Sequence, residues 1–130
     1  MKTQRLPDAE FDLMQVIWEQ KPPVTTSLLM ERIGHARSWK VQTMVTLLAR
    51  LTERGFLRVE RPGGRDRAFY PIISRGEYLR METEAFLGHY HRNSVSSLIA
   101  ALADEPLTEE DLDELSALIR RARERSETHE

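Results

Sequence analysis

Residues 39–72 read WKVQTMVTLLARLTERGFLRVERPGGRDRAFYPI, and a change of hydrophobic period inside this stretch decides the fold. Met44, Leu47, Leu48 and Leu51 recur at i, i+3, i+4 and i+7, one buried stripe of a helix over residues 39–54 that ends at Gly55. At about 100° per residue, Gln42, Thr43, Thr46, Ala49, Arg50 and Glu53 fall on the opposite side, with Val45 at its edge. From Phe56 the period becomes two. Residues 56–61 and 67–72 are rich in Phe, Val, Tyr and Ile and predict two strands. Between them residues 62–66, PGGRD, predict a hairpin tip whose Gly63 and Gly64 are free to take positive φ. The tip and its edges carry Arg61, Arg65 and Arg67.

On the N-terminal side, residues 8–20 predict a first helix with Asp8 as its cap and Glu10 and Asp12 favoured by the dipole. Phe11, Leu13, Met14, Ile17 and Trp18 keep helical spacing, and Lys21-Pro22-Pro23 stops the helix. Thr25, Thr26 or Ser27 caps a second helix through Ile33, with Gly34 as its C-terminal stop and a turn over residues 35–38. On the C-terminal side, residues 75–92 predict a long helix with Leu79, Phe86, Leu87 and Tyr90 inward. Residues 93–103 place Val95, Leu98, Ile99 and Leu102 on one stripe. After Pro106, Thr108 and Asp111 form a capping box for a last helix with Leu112, Leu115, Leu118, Ile119 and Ala122 on its apolar side. The chain is therefore expected to be mainly α. Residues 1–74 should form a winged helix-turn-helix (three helices plus a β-hairpin wing), and residues 75–124 an α-helical dimerisation region. Residues 125–130 should be a frayed polar tail.

At 130 residues, 40% hydrophobic and 31% charged, the chain has an ordinary globular balance and room for one domain or a small domain with an appendage. It has no cysteine, which excludes disulfides, thiolate nucleophiles and Cys-based metal sites. Its apolar runs are too short for a membrane span, and MKTQRLPDAE has no apolar core for a secretory signal, so a cytoplasmic location is expected. His89 and His91 would point about 200° apart on a helix and cannot share a metal, so no metal site or cofactor is expected. Neither a nucleophilic triad spacing nor paired carboxylates in a glycine-shaped pocket supports an enzyme.

The net charge of −2 hides a division. Residues 32–75 hold ten Lys and Arg against three Asp and Glu, whereas residues 76–130 hold six against thirteen. A basic front and an acidic back point to two jobs on one chain. A helix of groove width can set short polar side chains against base edges, and a hairpin can bring Arg61, Arg65 and Arg67 to phosphates, so double-stranded DNA is the expected partner. Three short helices bury little on their own, so the back half should pair with a second copy, placing two recognition helices on a palindromic operator. The candidate pairing residues are Leu79, Phe86, Tyr90, Leu98, Ile99, Leu102, Leu112, Leu115 and Ile119. An intramolecular cap is the other solution. A regulator with a small-molecule effector, or a winged-helix protein-interaction module, stands beside the repressor reading.

Five segments of the chain support a resemblance. Leu13-Met14-Gln15-Val16-Ile17-Trp18, the run over residues 39–56 with Thr43, Thr46, Leu47, Arg50, Leu51, Gly55 and Phe56, and Phe69-Tyr70-Pro71 resemble segments of the penicillinase-repressor (BlaI/MecI/CopY) family. Ser97-Leu98-Ile99 and residues 107–115 are similar to that family's dimerisation region. The resemblance spans residues 7–122 and implies a homodimeric repressor that blocks transcription, with control of antibiotic-resistance or stress genes as the family expectation. It places base contacts on Gln42, Thr43, Val45 and Thr46, with Lys40 beside them and Arg50 nearer the backbone. It also implies a regulatory protease as a partner. The bond matching the family's Asn–Phe cleavage point is Ala101–Leu102 here, and copper release through a cysteine cluster is excluded.

Overall fold

A computed structural model describes residues 5–61, 67–103 and 107–128. The chain divides into two compact units, Met1–Thr83 and Glu84–Glu130.

In the first unit, helix α1 spans Asp8–Glu19. Pro7, not Asp8, occupies the cap position, because its φ of −58° already suits helix entry and a proline lacks only an N–H that would have no partner there. Asp8 instead joins Glu10 as a first-turn acid favoured by the dipole. Beyond Gln20 the chain becomes extended, and Val24 exchanges hydrogen bonds with Phe69 at 3.0 and 2.8 Å. The link after α1 is thus pinned to the wing.

Helix α2, Thr26–Leu29, is capped by Thr25, whose Oγ1 accepts the Leu28 N–H at 3.2 Å. It runs directly into a wider π-helical turn over Met30–Gly34. Gly34 is therefore not a left-handed stop. A Cβ there would meet only the flexible end of the Met30 side chain, 2.6 Å from Sδ, and Ser38 (φ 58°) takes the left-handed turn instead. Helix α3 spans Val41–Glu53 with Lys40 at its N-cap, shorter at the start than expected because Trp39 lies ahead of it, half-buried against the core. Its far end closes as a Schellman motif. Gly55 takes φ 82°, the Gly55 N–H donates to the Thr52 carbonyl at 3.1 Å, and the Phe56 N–H donates to the Leu51 carbonyl at 2.9 Å. Strands β1, Leu57–Glu60, and β2, Ala68–Pro71, pair antiparallel with Leu57 opposite Pro71 and Glu60 opposite Ala68.

The core collects Leu13, Met14 and Ile17 from α1, Leu29 from α2, Met44, Leu48 and Leu51 from α3, and Phe56 behind the hairpin. It also takes Tyr78 from the start of helix α4, Arg75–His91, which is why the first unit extends past residue 74. Tyr78, not its neighbour Leu79, is the fully buried side chain of that turn. Its ring meets Phe56, Phe11 and Trp18 with centroids 5.5 to 6.0 Å apart, and its hydroxyl accepts the Leu6 N–H at 2.9 Å. Burial raises the Tyr78 phenol above its ordinary value of 10.0. A raised folded-state value contributes stability that is complete below pH 10 and is lost as pH rises through that value. The urea midpoint of the wild type should therefore fall more steeply above pH 10 than that of Tyr78→Phe, whereas Tyr78→Phe should be weaker by about 1 kcal/mol at neutral pH. Parallel alkaline curves would reject this role.

The second unit contains the end of α4 with helices α5, Val95–Ala103, and α6, Glu109–Thr128. Arg92 (φ 49°) and Asn93 (φ 64°) break α4 from α5. Ser94 caps α5 through the Ser97 N–H at 3.1 Å. Thr108 and Asp111 exchange capping-box hydrogen bonds at 3.1 and 3.0 Å, as the sequence predicts. Residues 125–128 continue α6 rather than fraying, since Glu124, Arg125 and Thr128 still follow the helix and Thr128 Oγ1 donates to the Glu124 carbonyl at 2.6 Å. No helix among the described residues is long and apolar enough to cross a membrane.

Candidate nucleic-acid interface

Helix α3 presents its outer side because Met44, Leu47, Leu48 and Leu51 anchor the inner one. Lys40, Gln42, Thr43 and Arg50 are exposed, and Val45 and Thr46 are half-buried. All the predicted α3 positions thus lie on or beside one face. Thr46 Oγ1 donates its proton to the Gln42 carbonyl at 2.9 Å, so that oxygen is left to accept. Sequence reasoning missed Val41, the first residue of α3, which is 58% exposed. Its period places it near the buried stripe, but at the first turn no preceding helix covers it.

Two ties set the pose of α3 against α1, and a third holds α1 to the segment behind the wing. Arg54, at its C-cap, reaches Glu10 of α1 with Nε 3.4 Å from Oε1. Glu10 is 2% exposed, and its Oε1 makes no hydrogen bond within normal geometry. This buried carboxylate was also missed, because an acid in a first turn reads as a dipole partner on the surface. Arg37, in the turn before α3, donates to Asp12 of α1 at 2.7 Å. Trp18 Nε1 donates to the Ile73 carbonyl at 2.9 Å, fixing α1 to the segment behind the wing.

On the wing, Arg61 and Arg67 are exposed at the two strand ends, and Arg65 lies outside the described residues. Arg58 is committed internally. It pairs with Glu60 and lies 4.3 Å over the Tyr70 ring, its cross-strand partner. If Arg61 and Arg67 meet phosphates, each alanine substitution should reduce the slope of log affinity against log salt by up to about 0.9. An unchanged slope in both would remove the wing from the interface.

The predicted pairing residues fall in two environments. Phe86, Tyr90, Ile99, Leu102, Leu112 and Ile119 are exposed in the single chain, as are Val95 and Leu118; Leu98 and Leu115 are half-buried. Leu79 is half-buried and belongs to the first unit. His91 Nδ1 shares a hydrogen bond with Ser97 Oγ at 2.8 Å, and the His89 ring stands edge-on to Tyr90. Both histidines thus have local packing partners.

A family described as penicillinase repressor matches residues 6–121. The penicillinase repressor of Bacillus licheniformis is 25% identical over 119 residues, covering 91% of each chain. The methicillin resistance regulatory protein MecI of Mammaliicoccus sciuri is 23% identical over 119 residues, 91% of this chain and 95% of that one. The solution structure of the DNA-binding domain of the repressor BlaI superposes with a TM-score of 0.52 and 28% identity, over 59% of this chain and 92% of that domain. The fold of the helix-and-wing portion is thereby a winged helix.

Proposed function

This chain belongs to the penicillinase repressor family, and from that premise we propose that it is a homodimeric transcriptional repressor that occupies a two-fold symmetric DNA operator. The observation that carries the reading is the outer face of α3. It offers short polar and apolar side chains for a groove, with Lys40 before it, Arg50 within it, and Arg61 and Arg67 at the wing strands for phosphates. A helix fixed this firmly to a core can present those groups without reordering on contact.

Pairing is supported by the back helices, whose large apolar side chains are exposed in the single chain. A second copy would cover them and set two α3 helices about one helical turn of DNA apart. A regulatory protease fits the same reading. Cleavage at Ala101–Leu102, inside α5, would part Leu102 from Leu98 and Ile99 and end pairing.

The test is a titration of the full chain against the duplex upstream of its own gene and a scrambled duplex of equal length, at two salt concentrations. Tight binding to the native duplex with a symmetric footprint is expected. Gln42→Ala and Thr43→Ala should weaken the native complex by about 1 kcal/mol or more each while leaving the scrambled one nearly unchanged. Equal losses on both duplexes would remove these residues from base readout.

A further inference from the structure

We propose that Val41 is a specificity-determining residue that packs on a thymine methyl group of the half-site; this rests on the repressor reading above.

The argument begins with the helix period. At about 100° per residue, Val41, Val45 and Ala49 form an apolar flank that runs from the edge of the buried stripe, where Val41 lies, toward the outer side of α3 at Gln42. Val41 is 58% exposed, so its methyl groups contribute little to the core and stand open at the end of the helix that reaches base edges. A second, independent observation concerns hydrogen-bonding capacity. Guanine offers two acceptors, N7 and O6, and needs donors. No residue of the stretch 41–46 is charged. Valine has no donor, and Thr46 has already given its proton to the Gln42 carbonyl at 2.9 Å. Val41, Val45 and Thr46 therefore offer a base edge methyl groups and an acceptor, while the donors of this face stay on Lys40, Gln42 and Thr43. The Thr46 oxygen can accept from adenine N6 or cytosine N4, and the valine methyl groups can pack against the C5 methyl, which only thymine carries.

The experiment is selection from a randomised duplex pool by the full-length protein, followed by titrations on the enriched duplex. A thymine is expected at a half-site position protected in register with the first turn of α3. Replacing a contacted thymine by deoxyuridine removes one methyl group and should weaken binding about fourfold. Val41→Ala should weaken it by a similar factor with an unchanged thermal midpoint. In Val41→Ala, deoxyuridine at the matching position should cost nothing further, a coupling that a general loss of structure would not produce. Val45→Arg should shift the selected sequence toward guanine. Indifference to deoxyuridine at every thymine of the enriched half-site, or the same deoxyuridine penalty in Val41→Ala as in the wild type, would overturn the inference and leave the repressor reading standing. A pool with no enriched sequence would overturn both.

Discussion

Replacing Arg54 by alanine should lower the unfolding free energy of the protein by about 3 kcal/mol, the largest loss expected from any single charged residue here. Glu10 lies in the core edge at 2% exposure, and Arg54 is the cation against it, itself 30% exposed at the side chain. Removing the guanidinium leaves a carboxylate buried with nothing to offset its desolvation, which costs more than the intact pair contributes. The partial exposure of Arg54 admits some water and puts the estimate at the lower end of the range for buried pairs. Urea unfolding followed through Trp18 and Trp39 measures it directly. The double variant Glu10→Gln, Arg54→Met should recover much of the loss, because neither charge then remains. A loss below about 1 kcal/mol in Arg54→Ala would mean that the pair behaves as a screened surface contact. Since Arg54 is also the C-cap of α3, the same variant should weaken operator binding beyond what its own charge accounts for.

The second large effect concerns pairing. If the chain pairs through its back helices as proposed, Ile99→Glu should leave it monomeric and reduce its affinity for the proposed operator about 100-fold or more. Joining two half-site modules makes the second contact intramolecular, and that gain disappears when the modules separate. Ile99 is exposed in the single chain, so glutamate there leaves the protomer's fold intact while placing a charge against an apolar partner surface. Sedimentation at several protein concentrations, alongside an unchanged helical circular dichroism signal, separates dissociation from unfolding. A variant that stays dimeric with full affinity would move the pairing surface away from α5.

Periodicity carried much of this fold because burial follows it. Met44, Leu47, Leu48 and Leu51 are all buried as their spacing requires, and the change at Phe56 from helical to strand period marks where the wing begins. What escaped was set by tertiary context. Tyr78 and Leu79 are adjacent and both apolar in character, and only the packing of Phe11, Trp18 and Phe56 decides which one turns inward. Glu10 is buried because Arg54 arrives from a residue far along the chain. The π-helical turn at Met30–Gly34 has no side-chain signature, and Gly34 lies inside it rather than at a left-handed stop. At the interface, the α3 face was legible as a pattern of polar residues. The exposure of Val41 was not, because the period alone cannot show that a first turn lacks a covering neighbour.

The bridge between Val24 and Phe69 is made entirely by peptide groups, two hydrogen bonds with no side-chain atom in either. Such a seam is blind to residue identity, with proline as the exception because it has no N–H to give. Related chains can therefore drift at these two positions, within what the buried space permits, and still keep the wing in place beside the recognition helix. The exposed side chains of α3 can therefore change without disturbing the joint that holds the strands beside that helix.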